Sequence, residues 1–350
     1  MLLTVLGFVV GLGLSFRSST AYERWTEGRK YWAQLSLVSQ NLARLLWVHV
    51  KEREGEEGKA DLLAKISALN LIVALSVALK HRLRFEPFAH YPDLHHLVAP
   101  LDTLASKAEG PPEAKKKSFF KSWGEFLGVP MAESNPRKLI KNASMPLGNM
   151  PLEILTALNG YVKFVMENDT FTNGVCQSNA FNALVAMNDV LTGTERVLNT
   201  PLPIAYSIAI GQITWVYILL LPFQLFIPLG WITIPGCIFA AYIILGIALI
   251  GREIENPFGN DVNDLPLDLF CQQIRQDLDI IMRQPAPNPN QWINREDNML
   301  MWPLSHLGYA AWNEKGTEKV REALALKPEL AIREEGVTLR KSEDVSKGQV

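Results

Sequence analysis

Cysteine is scarce. The 350-residue chain has three, Cys176, Cys237 and Cys271, too far apart for a disulfide framework or a zinc-ligand pattern. They read as free thiols of a reducing or membrane setting. An excess of one charge is also missing: 34 Lys and Arg stand against 36 Asp and Glu, a net charge of −2. The basic patch or stripe of a nucleic-acid binder is therefore not expected, and neither is a nucleic-acid partner. There is no glycine-rich phosphate loop, no nucleophile elbow and no His/Cys metal spacing. The reading is a protein with no catalytic residues and no required cofactor. His95 and His96 are adjacent, so on a helix or a strand they point apart and read as surface histidines.

What is there is apolar and unevenly spread. Hydrophobic residues make up an ordinary 48%, but they are concentrated in long runs. "IAYSIAIGQITWVYILLLPFQLFI" (204–227) and "LGWITIPGCIFAAYIILGIALIG" (229–251) contain no charged residue. Each exceeds the roughly 20 residues needed to cross a bilayer. With Pro228 between them they predict a helical hairpin with a tight turn. A third run, "MLLTVLGFVVGLGLSF" (1–16), lacks the basic segment that opens a signal peptide. Helical patterning continues past Arg17, so the run predicts the membrane end of a long helix that emerges into water. Arg17, Arg24, Arg29 and Lys30 follow this span, and Arg196 and Arg252 flank the hairpin. The positive-inside rule puts those ends in the cytosol. Residue 1 then lies on the far side of the membrane, which gives the expectation that a further helix precedes Met1 in the native protein.

The remainder reads as a mainly helical cytosolic body over residues 17–195 and 252–283. "ISALNLIVALSVALKHRLR" (66–84) is taken as a buried helix of that body, because Lys65, Lys80 and Arg82 leave too short an uncharged stretch. Residues 107–150 read as a loop or insertion whose Lys115–Lys117 run is solvated. Residues 284–350 read as a Pro-rich linker, one amphipathic helix within "GTEKVREALALKP", and a disordered end.

Two features carry functional information. At 100° per residue, Val5, Val9, Leu12 and Phe16 share one face of the first span, with Phe8 at its edge. Gly7 and Gly11 lie opposite, a small-xxx-small pair expected to admit the hairpin. The apolar stripe faces either a pore axis or lipid. The second feature is "GREIENPFGNDVNDLPLDLF" (251–270), seven acids and amides within residues 253–264, just where the chain leaves the membrane. Pro266 is followed by apolar positions Leu267, Phe270, Ile274, Leu278 and Ile281 at helical spacing, so Asp264 or Asn263 is the expected N-cap. Glu253, Glu255 and Asp261 remain, and they repel one another unless something neutralises them. The spacing is not that of an EF-hand.

Three segments, "FRSSTAYERWTEGRKYW" (16–32), "TPLPIAYSIAI" (200–210) with "LLLPFQL" (219–225), and "IENPFGNDVNDLPLDLF" (254–270), together resemble the bestrophin family of ion channels, in its bacterial and fungal branch. The resemblance covers roughly residues 1–283. It implies an all-α, multi-pass membrane subunit of a homopentameric channel, with the first span here matching the family's axis-lining second helix. It further implies a hydrophobic neck at Val5, Val9, Leu12 and Phe8, and a cytosolic constriction at Leu202, just before Pro203. The calcium clasp of animal members maps onto Glu253, Asn256, Asp261 and Asp264. Val262 breaks that acidic run, so a polar belt between subunits competes with calcium as the role of the loop.

The expectation is thus a membrane channel passing small anions, chloride foremost, in a lipid bilayer taken to be the plasma membrane, with much of its mass in the cytosol. A cation-selective pore, and a non-conducting scaffold caused by the expected absence of a first helix, are the alternatives.

Overall fold

The apolar spacing that crosses from the first run into the charged segment produces one uninterrupted helix. The computed structural model describes residues 2–107 and 148–328, and among these every regular element is helical. Helix α1 spans Leu2–His49, 48 residues, about 70 Å at 1.5 Å per residue. No proline interrupts it. One face is buried along nearly its whole length: Val10, Leu14, Ala21, Arg24, Gly28, Trp32, Leu35, Ser39, Leu42 and Leu46, in steps of three, four or seven.

Among the described residues of the first of two units, Met1–Arg283, further helices are α2 (Glu56–Leu83), the short α3 (His95–Val98), α4 (Met150–Glu167), α5 (Gly174–Asn199), α6 (Ile204–Leu229) and α7 (Thr233–Glu253). Helix α8 (Leu267–Met282) closes the unit. Helices α5 to α8 all pack on α1, while α2 packs against α4 and α8. Trp32 and Leu42 of α1, Leu69, Ile72 and Leu79 of α2, Leu158 of α4, Val190 of α5 and Leu278 of α8 are buried in one continuous core. Each such side chain contributes roughly 1.5–3 kcal/mol through burial. Asn149 caps α4 and Asn173 caps α5, each side-chain oxygen accepting from backbone N–H groups of the first turn.

Among the described residues, three stretches are long and apolar enough to cross a membrane: Thr4–His49, Glu56–Leu83 and Ile204–Glu253. Burial separates them. Of the most apolar window, 61% is buried inside the subunit for α2 but 6% for the hairpin α6–α7. Helix α2 therefore spends its apolar surface on other helices, whereas Phe223, Ile227, Trp231 and Tyr242 of the hairpin region stand bare. An apolar surface of that extent needs lipid or a partner. The chain is a membrane protein.

The hairpin reverses two residues later than expected. Pro222 and Pro228 lie inside α6, and the turn is a 3₁₀ segment, Gly230–Ile232, entered through Gly230 at φ 54°. Proline's fixed φ is compatible with a helix, whereas a reversal at positive φ falls to glycine, which has no Cβ to clash.

Of the insertion expected over 107–150, Lys107 ends a 3₁₀ turn (Leu104–Lys107), and the described chain resumes at Gly148. Lys115–Lys117 lie outside the described residues. The second unit is Gln284–Val350. Its described part contains α9 (Asn290–Ile293), α10 (Tyr309–Asn313) and α11 (residues 317–328). Met301, Trp312 and Ala323 form a small core there with Leu304 and Val320. These residues follow no single period in the sequence, so nothing in the pattern signals that they meet.

Candidate functional site

In the first span, Val10 and Leu14 face inward at 4% and 5% exposure, while Val5, Phe8, Leu12 and Phe16 are more than half exposed and Val9 is 41% exposed. The wheel thus has two faces, one packed on the hairpin and one bare, and the five named residues are on the bare one. The glycines behave differently from the expected pair. A Cβ on Gly7 would meet the Tyr217 ring at 3.1 Å, and one on Gly13 would meet Ile210 at 3.5 Å, but Gly11 faces open space. The close approach to the hairpin is made at Gly7 and Gly13, six residues apart, with Val10 between them as the buried side chain.

The acidic loop is held by its own hydrogen bonds. Glu253 Oε1 accepts from Asn263 Nδ2 at 3.0 Å, and Asp264 Oδ2 accepts from the Asp261 N–H at 2.8 Å. Leu265 N–H donates to the Pro257 carbonyl at 2.9 Å. Phe258, Leu265 and Leu267 anchor the loop in the core. Glu255 is neutralised by Arg17 of α1 at 3.2 Å, and Trp25 Nε1 donates to the Asn263 carbonyl at 3.1 Å. Neither Asp264 nor Asn263 caps α8. Pro266 occupies the N-cap position, with no side-chain cap. Pro266 cannot donate, and Asp264 is instead drawn back onto the tight turn that begins at Asp261. Burial pushes the Asp264 carboxyl up to about 6; the bond from Asp261 N–H opposes this, and the Asp261 and Glu253 charges add to it.

The loop brings Glu253, Asn256, Asp261 and Asp264 into one segment but not into a cage. Asn256 and Asp261 are exposed, and one oxygen each of Glu253 and Asp264 is taken by a hydrogen bond within the loop. Among the described residues no three His, Cys, Asp or Glu side chains are grouped to hold a metal ion. As arranged, the four residues do not fit calcium.

Leu202 lies in the turn between α5 and α6 and is 9% exposed, tucked into the subunit; the bare apolar side chain beside it is Ile204, at 72%. Arg24 of α1 supports this turn, with Nη1 donating to the Thr200 carbonyl at 3.0 Å and Nη2 to the Val197 carbonyl at 2.7 Å. In the sequence Arg17 and Arg24 count only as flanking charge. The signal that would have singled out Arg24 is its register, since Ala21, Gly28 and Trp32 on the same stripe are all core positions.

A second polar cluster joins the end of α2 to the start of α8. Lys80 Nζ bonds Asp268 at 2.7 Å and also Asp93, and Arg84 bonds Asp268 at 2.9 Å. The His81 ring lies between Glu86 at 2.6 Å and Asp93 at 2.9 Å. No motif in the sequence foretells this cluster, because its members come from three separated segments.

Among the described residues, fold and site define a helical membrane protein with a long strut, an apolar hairpin left bare by the rest of the chain, and a body that holds the polar clusters. The model of the family described as "Bacterial/Fungal Bestrophin protein" matches residues 1–279. The chain belongs to this family. It is 36% identical over 278 residues to the voltage-dependent anion channel-forming protein sll1024 of Synechocystis sp., covering 79% of this chain and 76% of that protein. Against the protein of the same name from Nostoc sp., alr2987, identity is 35% over 271 residues, with 77% and 74% covered. A crystal structure of a bacterial bestrophin homolog from Klebsiella pneumoniae, carrying one mutation, is 26% identical with a TM-score of 0.59, over 81% of this chain and 87% of that one.

Proposed function

We propose that the chain is the subunit of a homopentameric channel passing small monovalent anions, chloride foremost, through a neck lined by α1. The relatives' description as anion channel-forming proteins supports the anion. The observation that carries the neck is the bare stripe of Val5, Phe8, Val9, Leu12 and Phe16 on the α1 face turned away from the hairpin. Five such stripes around a closed axis make a dry constriction that gates by dewetting. With no charge in this stretch, the positive ring edge of Phe8 is the group that favours an anion. Below the neck, the α5–α6 turn narrows the path a second time, with Ile204 as its bare side chain and Leu202 packed behind it. The acidic loop serves as a polar belt where subunits meet. The bilayer is the plasma membrane, with the body in the cytosol.

The test is reconstitution of the purified chain in planar bilayers under a potassium chloride gradient. A reversal potential near that of chloride is expected; one near potassium's identifies a cation pore and overturns the anion. Val5→Ala, Val9→Ala and Leu12→Ala together raise the open fraction, whereas Ile238→Ala with Ile243→Ala on the hairpin does not. Equal effects would place the stripe against lipid. Calcium titration by calorimetry checks the belt: micromolar binding lost in Asp261→Ala replaces the belt with a calcium site.

A further inference from the structure

The α5–α6 turn reads Thr200-Pro201-Leu202-Pro203. Its two prolines have fixed φ and no N–H, so the turn cannot be held by a backbone ladder and its soft joints are few. Thr200 leaves the helix at φ −114° and ψ 64°, and Pro203 enters α6 at φ −54° and ψ 131°. Whatever fixes the Thr200 carbonyl therefore fixes the direction in which Leu202 and Ile204 leave the turn. Arg24 does this. Its two terminal nitrogens are committed to the Val197 and Thr200 carbonyls, which lie at the end of α5, where a helix has unpaired acceptors and a negative dipole end. The side chain is 9% exposed and its Nε has no partner. Burial lowers the Arg24 pKa, while Glu255 and Glu27 nearby raise it. A buried cation at a position whose stripe is otherwise core costs stability that an apolar side chain would not cost. Its fork supplies the geometry of two carbonyls at once, which lysine cannot reproduce.

We propose that Arg24 is a positioning residue that sets the width of the cytosolic constriction by holding the Thr200–Pro203 turn. The inference rests on the channel reading above. It is tested on the full chain in detergent and in bilayers, with Arg24→Lys, Arg24→Gln and, as a control elsewhere on α1, Arg29→Gln. The expected result is about tenfold faster amide exchange confined to residues 198–206 in both Arg24 variants. With it comes a shift of roughly twofold or more in the permeability ratio of nitrate to chloride. Arg29→Gln leaves both at the wild-type value. Wild-type ratios in an assembled Arg24→Gln protein overturn the proposal, and so does faster exchange spread over the whole body. If Arg24→Gln does not assemble, Arg24→Lys decides; failure of both to assemble makes Arg24 a folding residue and overturns it as well. Absence of anion current in the wild type sinks the channel reading and the pore width with it. Faster exchange confined to the turn would still identify Arg24 as the residue that holds it.

Discussion

At Lys80 the ammonium is buried and its partners are not: the side chain is 5% exposed, against 43% for Asp93 and 65% for Asp268. Burial alone would lower the Lys80 pKa, but the bonds it donates to Asp268 and Asp93 win and raise it. The asymmetry predicts unequal costs. Lys80→Met leaves two carboxylates that water can solvate, whereas Asp93→Asn with Asp268→Asn strands a buried cation. The double variant should lose on the order of 3 kcal/mol more in urea unfolding than Lys80→Met; equal losses would show that the amine reaches water. Asp264 makes a pH prediction. Its folded pKa of about 6 lies above the ordinary 3.8, so the folded state binds the proton more tightly. Its favourable contribution is full below the ordinary value and is lost as pH rises through about 6. Asp264→Asn, neutral throughout, should melt higher than wild type at neutral pH, with the gap closing towards about pH 4. A gap that does not change with pH rules the shift out.

Between elements, α1 comes close to α5. A Cβ on Gly193 would lie 2.3 Å from the Tyr31 ring, and Tyr31 is held in place because its hydroxyl accepts from Arg196 at 3.0 Å. Gly193→Ala should therefore push α5 off α1 and cost about 1–3 kcal/mol. Gly160 in α4 faces open space, so Gly160→Ala should stabilise by roughly 0.5–1 kcal/mol through helix propensity. Melting temperatures moving in opposite directions confirm the contrast. Both residues are mid-helix glycines, and nothing in the sequence tells them apart. What separates them is the Tyr31 side chain brought in from another helix.

For the whole molecule, the family match ends at residue 279 and the first unit at Arg283. Among the described residues, the core of that unit is built from residues before 283. Ending the chain after Arg283 should accordingly leave the melting temperature and the number of subunits per particle unchanged, as read by scanning fluorimetry and light scattering in detergent. A collapse of either would show that residues 284–350 complete the fold.

The sequence by itself determined the membrane hairpin, the continuation of the first span into a long strut, the helix after Pro266 and, through three motifs, the family. Each of these is written in local order: a charge-free length, a period of 3.6, a short string. The tertiary structure decided the rest. The charges Lys65, Lys80 and Arg82 mark α2 as a buried body helix despite its apolar run, but that α4 and α8 are what cover it is read only from the fold. Asp264 reads as a helix cap and instead turns back on Asp261, because the fold buries it beside that N–H. Arg17 and Arg24 read alike as flanking charges, yet one pairs with Glu255 and the other holds carbonyls of α5. Periodicity reports which face of a helix is apolar. It carries no record of which other segment arrives to cover that face, and burial, pairing and proton affinity all depend on that arrival.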